Sequence, residues 1–361
     1  MITEVSSRLK AIEILRQAGI ANPVRLGDLM RSTINFLELD LSGLTVLTEA
    51  ASGPYVVTPV IAALAGAERV LALTQESSYA NVKSVMAQTQ ALETLCQLQG
   101  RVEIHARRSL DLFAEADIIT NLGFVRPITA DVVEVMKKTA VVPLMCESWE
   151  HRPGDVDLAA CRAKGVAVLG TNEDYPGLNI FSYSGLLCTK MLFAAQIEVH
   201  KSKIIVVSGD KFGQVLQQQL TASGASVWLI PTLKCREELS DADALVVADY
   251  TREDVIIGPD GDMTAEELAC DAPGITVIQF AGVIDTPSVC GCGLAVYPNI
   301  KLAPHRMAAT LAALGPRPVI ELHAAGLKVG ELMSRKMQIL QDAELVRKML
   351  IEEHALCQAL A

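Results

Sequence analysis

Apolar and polar positions alternate along most of the chain in a pattern that is typical of βα units. Short apolar runs are separated by longer stretches in which apolar residues recur at helical spacing. In the first half, the runs predict strands at residues 45–48, 69–73, 102–105, 117–120, 141–145 and 166–169. The stretches between them predict helices at 57–65, 79–98, 130–137 and 156–164, after a leading helix at 3–17.

The second half repeats this pattern after a long predicted helix at residues 178–198. A strand beginning at Lys203 runs into a glycine-bearing turn, a helix that ends near Ala222 and a second strand. We expect strands at 226–230, 244–248, 276–280 and 300–302, and helix from about residue 308 to the end. The sequence therefore predicts an α/β fold of two Rossmann-like lobes with parallel sheets, joined by a long interdomain helix.

Composition and charge exclude several classes of partner. The formal net charge of -11 and the absence of a Lys/Arg run argue against nucleic acid. Charged residues, Gly and Pro interrupt every apolar run before the roughly 20 residues of a membrane span. The nine cysteines have no regular spacing and no secretory signal precedes them, so we expect reduced thiols in the cytoplasm. Cys290 and Cys292 lack the further ligands that a zinc site needs, so no metal is expected.

Several segments between residues 116 and 333 resemble the D-isomer-specific 2-hydroxyacid dehydrogenases. The segments 116–120, 128–132 and 154–168 are similar to the second half of that family's substrate lobe. The long helix and the turn at 208–213 follow in the family's order, and 299–305 is similar to the strand and Pro-His that carry its catalytic histidine. The resemblance implies a substrate lobe at 1–177 of flavodoxin or Rossmann type and a nucleotide-binding lobe at 178–305. The helices of 306–361 either return to the first lobe or form the seam of a homodimer.

The turn departs from the dinucleotide fingerprint G-x-G-x-x-G. Its three positions read Ser208, Asp210 and Gly213, so only the glycine that lets helix and strand pack closely is in register. Gly209 stands one place early. Asp210 places a carboxylate beside a helix N-terminus, where it competes with the phosphate that the helix dipole attracts.

Two further departures bear on cofactor and substrate. Pro231 replaces the acidic residue that holds the ribose of NAD, and the basic residues after it favour NADP. The expected cofactor contacts are Ser208, Gly209, Asp210, Lys211, Phe212, Gly213, Thr232, Lys234 and Arg236. The family's carboxylate-binding Arg is also missing, because residues 281–283 read Ala-Gly-Val.

Candidate catalytic residues lie in two places. His305, in a Pro-His turn, offers an imidazole that carries a proton near pH 7, and the alternative is a histidine bonded at a domain seam. The loop after the 141–145 strand contains an acid/base cluster, and the alternative is a solvated surface loop. Its members are the catalytic candidates Glu147, Glu150 and His151, with Trp149 and Arg152 as substrate contacts.

Polar residues at other strand ends are candidates for substrate binding. Asn172 and Glu173 follow the 166–169 strand, although a turn and helix cap explains them slightly better. Arg126 lies after the 117–120 strand and suits an anionic ligand. The loops 49–55 and 75–79 resemble, in outline, the small-residue loop and acidic residue with which S-adenosylmethionine methyltransferases hold their cofactor.

These features predict a divergent NADP(H)-linked oxidoreductase that acts on a small polar metabolite other than a simple 2-hydroxy acid. A Rossmann-like biosynthetic enzyme or binding protein without a dinucleotide is the alternative. One form of this alternative is an S-adenosylmethionine-dependent methyltransferase. A non-catalytic scaffold that keeps only the fold is the third possibility.

Overall fold

The computed structural model describes residues 2–234 and 239–360. The chain divides into two compact units. The first unit comprises Met1–Ile180 and Gly315–Ala361, and the second unit is Phe181–Leu314. Elements are numbered in chain order through both units.

The first unit is a sheet with helices packed around it. Its strands in the described residues are β1 (Thr45–Glu49), β2 (Arg69–Leu73), β3 (Val102–His105), β4 (Ile118–Ile119), β5 (Val141–Pro143), β6 (Ala167–Thr171) and β14 (Cys357–Gln358). They form a seven-stranded sheet in the order β3-β2-β1-β4-β5-β6-β14. Every strand pair is parallel except that of β14 with β6. The helices are α1 (Ile2–Gln17), α2 (Pro23–Leu37), α3 (Val57–Leu64), α4 (Val82–Cys96), α5 (Leu110–Glu115), α6 (Ala130–Val135), α7 (Leu158–Lys164), α12 (Pro316–Leu340) and α13 (Ala343–Glu353).

The C-terminal helix α12 covers the first sheet. Pro316 lies in its first turn, where a missing N–H costs nothing, and one apolar face is fully buried. Leu327, Val329 and Met333 have no exposed surface, which stabilises the unit by about 1.5–3 kcal/mol for each side chain. Ile339, on the other face, is 79% exposed. The C-terminal helices thus complete the core of the first unit, and a homodimer stays a prediction.

The second unit is built around a smaller parallel sheet. Its strands in the part of the chain that the structure describes are β7 (Lys203–Val207), β8 (Ser226–Ile230), β9 (Ala244–Ala248), β10 (Val255–Ile257), β11 (Thr276–Ala281), β12 (Val283–Ile284) and β13 (Ala295–Tyr297). Five of them form a parallel sheet in the order β8-β7-β9-β11-β13. A parallel pair, β10 and β12, lies apart from it. The helices are α8 (Tyr183–Ala194), α9 (Lys211–Ala222), α10 (Ala265–Asp271) and α11 (Thr286–Gly291).

The predicted α/β class with parallel sheets is confirmed, and several element boundaries need correction. The long helix predicted at 178–198 is the shorter α8, which follows a single 3-10 turn and belongs to the second unit. The strand predicted at 300–302 is wrong, because the last strand of the second sheet is β13. Helix α2 was not predicted. Asn22 begins it by accepting a hydrogen bond from the N–H of Arg25.

Candidate functional site

The turn between β7 and α9 is closed by its own side chains. Asp210 is the N-cap of α9, and its carboxylate accepts from the N–H groups of Phe212 at 2.9 Å, Tyr250 at 2.7 Å and Thr251 at 3.3 Å. The Ser208 hydroxyl accepts from the N–H of Gly213 at 3.1 Å. The amides with which a helix N-terminus normally holds a phosphate therefore already have acceptors in the protein.

A second carboxylate further disfavours anion binding at this turn. Asp249, after β9, accepts from the N–H of Gly209 at 3.1 Å. Burial raises the pKa of Asp210, and the nearby negative charge of Asp249 raises it further. Gly213 is needed for packing, because a Cβ there would lie 2.7 Å from Leu229 and 2.8 Å from the Ser208 Cβ.

A dinucleotide diphosphate does not fit this turn. It would have to displace the Asp210 carboxylate and the Ser208 hydroxyl from the helix N-terminus and then lie beside Asp249. Two other predicted contacts have structural partners, since Phe212 packs on Phe280 and the Lys211 ammonium lies 4.0 Å from the centre of the Phe181 ring.

Lys234, one of the basic residues expected to favour NADP, lies beside an acidic residue in the structure. The Thr232 hydroxyl donates to Asp262 at 2.5 Å, and the Lys234 ammonium lies 3.9 Å from the same carboxylate. Arg252 donates to Asp262 at 2.6 and 2.7 Å, which lowers the pKa of Asp262 to about 2. Arg236 lies outside the described residues. Of the three positions read as a phosphate site, Thr232 therefore hydrogen-bonds a buried carboxylate and Lys234 lies beside it.

His305 has a carboxylate partner that the sequence did not reveal. Its Nε2 lies 3.2 Å from Glu253 Oε1, and its ring packs edge-on against Tyr250. The segment after His305 is fixed at the end of β11, because the N–H of Ala308 donates to Phe280 O. Glu253 comes from the loop after β9, an edge where strand ends meet, and that placement was the only available signal. An imidazole bonded to a carboxylate is an arrangement that can exchange a proton with a ligand.

The acid/base loop of the first unit is built largely as a structural turn. Glu147 and Glu150 form a capping box, in which each carboxylate accepts from the other residue's N–H. Glu147 is also buried and accepts from the Trp149 indole at 2.5 Å and from the N–H of Glu173 at 3.3 Å. These bonds account for the two carboxylates and Trp149, and their catalytic and substrate roles stay predictions.

His151 and Arg152 follow this capping box. A cavity of about 410 Å³ lies beside them, lined by His151, Thr129 and Asp157 among others. Within the described residues the buried Nε2 of His151 has no hydrogen-bond partner, and burial lowers the pKa of this imidazole. Arg152 is half-buried, and its carbonyl accepts from the N–H of Asp155.

The remaining candidates for substrate binding also form hydrogen bonds or ion pairs within the protein. Arg126 forms an ion pair with Asp155 at 2.8 Å. The Asn172 amide donates to Ala355 O at 2.7 Å, and its own N–H donates to Leu356 O, so Asn172 joins β6 to the C-terminal segment. Glu173 is buried beside Glu147. The structure brings Glu147, Trp149, Glu150 and Glu173 together, with Asn172 next to them in the chain.

The described ranges contain neither a metal-binding cluster nor a membrane-spanning helix. Among residues 2–234 and 239–360, no set of three or more His, Cys, Asp or Glu side chains is arranged to hold a metal ion. No helix in the same ranges combines the length and the apolar character that crossing a bilayer requires. The eight described cysteines are free thiols.

Comparison with known proteins finds likeness in structure only. No protein-family model matches the chain, and no curated protein sequence matches it. A dipicolinate synthase chain from Bacillus halodurans is similar with a TM-score of 0.52 and 12% identity, over 81% of this chain and 99% of that one. The pyruvate reductase of Chlamydomonas reinhardtii has a TM-score of 0.47 and 12% identity, over 82% and 97% of the two chains. The NAD-dependent formate dehydrogenase of Staphylococcus aureus, solved in complex with NAD, has a TM-score of 0.41 and 13% identity, over 81% and 96%.

At this level of identity, the first of these similarities establishes a shared fold. The lower TM-scores of the other two add nothing to it. The expected resemblance to the D-isomer-specific 2-hydroxyacid dehydrogenases is confirmed as a resemblance of fold. Activity, cofactor and substrate do not follow from fold alone.

Proposed function

We propose that this chain is an enzyme of the dehydrogenase fold that acts on a small polar metabolite, with His305 and Glu253 as its proton-transfer pair. The fold likeness favours an oxidoreductase as the reaction class. The observation that carries the proposal is the 3.2 Å contact between His305 Nε2 and Glu253 Oε1. This pair lies at the carboxyl edge of the second sheet, where ligands of open α/β sheets bind.

The chemistry assigned to the pair follows from its environment. The Glu253 carboxylate accepts from the imidazole and holds it in one orientation, while the Tyr250 ring limits its rotation. The His305 side chain is 24% exposed, so solvent and a ligand reach it. In this arrangement His305 takes a proton from the substrate or returns one, and Glu253 stabilises the charged imidazolium.

Two cofactor assignments are compatible with this proton-transfer pair. Nicotinamide dinucleotide agrees with the fold, and the NADP(H) preference stays a prediction. The closed turn around Asp210 favours the alternative, an enzyme that works without a dinucleotide diphosphate in this place. The substrate contacts expected from Arg126, Trp149, Arg152, Asn172 and Glu173 stay predictions as well.

Two assays test proton transfer with and without a dinucleotide. The first follows oxidation of NADH or NADPH with a panel of small polar aldehydes and ketones. The second follows, by proton NMR, exchange of the same compounds' carbon-bound protons with heavy water. In whichever assay the chain is active, we expect His305→Gln to lower the rate by about 100-fold. Glu253→Gln should lower it by about tenfold, because a more exposed partner contributes less.

His354→Gln is the matched control. His354 caps the end of α13 in the first unit, far along the chain from the pair. The control should retain the wild-type rate. Activity that survives in both His305→Gln and Glu253→Gln would overturn the assignment of the pair, and so would inactivity of the wild-type chain in both assays.

A further inference from the structure

The strand order of the first unit places a ligand crevice between β1 and β4. From β1 the chain adds β2 and β3 on one side, and it then adds β4, β5 and β6 on the other. This 3-2-1-4-5-6 order has its switch point between β1 and β4, and ligands of open α/β sheets bind at the carboxyl ends of the strands there. We propose that the first unit binds an adenine nucleoside without phosphates, of the S-adenosylmethionine type, at this point. The proposal does not depend on His305 or Glu253.

At the carboxyl ends of β1 and β4, a side chain from one strand contacts the backbone that follows the other. Glu49, the last residue of β1, reaches across the switch point, and its carboxylate accepts from the N–H of Phe124 at 3.2 Å. A Cβ on residue 123 would lie 3.0 Å from Glu49 Oε2, so Gly123 leaves room for this carboxylate. Burial raises the pKa of Glu49. A cationic group bound nearby would favour its ionised form.

A buried hydroxyl next to the switch point has no partner. Thr74 follows β2, is 3% exposed, and within the described residues its Oγ1 makes no hydrogen bond. The N–H of Thr74 donates to His105 O. The N–H of Ala50 donates to the O of Leu73, the residue before Thr74, so Thr74 lies beside the end of β1. An unpartnered buried hydroxyl is costly, and a shift of the loop after β2 on ligand binding would let a ligand's hydroxyl or amino group reach it.

The loop after β2 supplies groups suited to ribose and adenine. Glu76 lies about 20 residues after the β1 turn, the spacing at which an acidic residue meets ribose hydroxyls in this strand order. Its Oε1 accepts from the N–H of Val82, which fixes the carboxylate near the start of α4. Tyr79 is 89% exposed, and an exposed aromatic ring at this edge is a stacking surface for a base.

The turn after β1 lacks the features that hold a phosphate. Pro54 has no N–H, and the N–H of Gly53 already donates to Gln88 Oε1 at 2.9 Å. Glu49 and Glu76 add negative charge, and Arg126, whose positive charge acts on Glu49, is already paired with Asp155 at 2.8 Å. A nucleoside with a cationic substituent, such as the sulfonium of S-adenosylmethionine, is therefore favoured over ATP or a dinucleotide.

Calorimetric titration of the full chain with S-adenosylmethionine, S-adenosylhomocysteine, adenosine, ATP and NADPH tests this site. We expect S-adenosylmethionine to bind at least tenfold more tightly than ATP. Tyr79→Ala should weaken binding by about tenfold through loss of base stacking, and Tyr79→Phe should restore it. Glu76→Gln should weaken binding of all three phosphate-free ligands, because each carries the ribose hydroxyls.

Glu68→Gln is the matched control for Glu76→Gln. Glu68 is exposed and lies just before β2, at the opposite edge of the same sheet, so its loss should leave affinity unchanged. The proposal is overturned if none of the phosphate-free ligands binds at about 1 mM, which corresponds to a binding free energy near -4 kcal/mol. Tighter binding of ATP or NADPH would overturn the phosphate-free class. Binding that neither the Tyr79 nor the Glu76 variants change would overturn the location.

Discussion

The two units share a strand–turn–helix plan, but they differ in how the polar groups of the first turn are satisfied. In the second unit, Asp210 and Ser208 take the N–H groups at the start of α9. In the first unit, the turn after β1 passes through Pro54 into a 3-10 turn whose N-cap, Ser52, makes no side-chain bond. The strand orders differ as well, with 3-2-1-4-5-6 in the first unit and the flavodoxin-like 2-1-3-4-5 in the second.

This difference indicates that strand order and turn chemistry are separate requirements for a nucleotide site. The second unit has a well-formed helix N-terminus, but its positive end is neutralised from within by a carboxylate. The first unit has a half-buried turn after β1 that contains Pro54 and offers no helix N-terminus suited to phosphate. A resemblance of sequence order around a turn therefore does not identify which unit binds a cofactor.

The largest effect is expected when the carboxylate that closes the second turn is removed. Asp210→Ala leaves the N–H groups of Phe212, Tyr250 and Thr251 without their acceptor. We expect the free energy of unfolding of the second unit to fall by about 4 kcal/mol, because each lost bond involves a charged acceptor. Trp228 lies in the second unit, and its fluorescence in a Trp149→Phe background follows this unfolding during urea titration.

Asp260→Ala is the control, since Asp260 is an exposed carboxylate in the same unit. It should change the free energy of unfolding by less than about 0.5 kcal/mol. If the Asp210 and Asp260 variants are equally stable, the turn is not held by the carboxylate and the contrast between the two units disappears.

The sequence predicted four strands with their observed boundaries. Strands β2, β3, β8 and β9 all carry Val, Ile or Leu and end at polar or turn residues. Two of them, β3 and β8, are edge strands. Helix α2 and the strands β13 and β14 were missed. Strands β13 and β14 have only three and two residues, too few to show an apolar period.

The candidate site was predictable only where a local pattern carries it. Asp210 was identified as an intrusion at the helix N-terminus, and the structure gives the reason in three backbone bonds. Glu253 was missed because it is separated from His305 by 52 residues in the chain. Asp262, which accepts from Thr232 and lies beside Lys234, was missed for the same reason.

The first unit should lose stability in weak acid through one buried histidine. Burial lowers the pKa of His323 to about 4, and its Nδ1 lies 2.5 Å from the Thr58 hydroxyl. The unfolded chain therefore takes up this proton at higher pH than the folded one. The contribution of neutral His323 to the free energy of unfolding is complete above pH 6.5. As the pH falls towards 4, the free energy of unfolding decreases by about 3 kcal/mol.

His323→Gln removes this titration, and its stability should vary less than that of the wild type between pH 6.5 and 4. The measurement is urea unfolding followed by Trp149 fluorescence in a Trp228→Phe background, which reports the first unit. Equal slopes of stability against pH in the two proteins would show that His323 is not the buried neutral group described.

A smaller effect with a lower pH window is expected in the second unit. Arg252 and Thr232 hold the pKa of Asp262 at about 2, below its ordinary value of 3.8. This contribution is complete above pH 4 and is lost as the pH falls to 2, a loss of about 2 kcal/mol. Asp262→Asn should be less stable than the wild type at pH 7 by that amount and equal to it near pH 2. A constant difference across this range, measured by Trp228 fluorescence, would contradict the assignment.

The smallest change in free energy is expected when the glycines of the dinucleotide fingerprint are restored. Ser208→Gly with Asp210→Gly gives glycine at the first, third and sixth positions of the turn and removes both internal acceptors. We expect NADH or NADPH to bind this double variant about tenfold more tightly than the wild type, about 1.4 kcal/mol in binding free energy, because Asp249 still opposes the diphosphate. Ser208→Gly alone leaves the carboxylate in place and should gain nothing. If the wild type binds as tightly as the double variant, measured by quenching of nicotinamide fluorescence, then Asp210 does not close the second unit to dinucleotides. The two turns would then differ in shape alone.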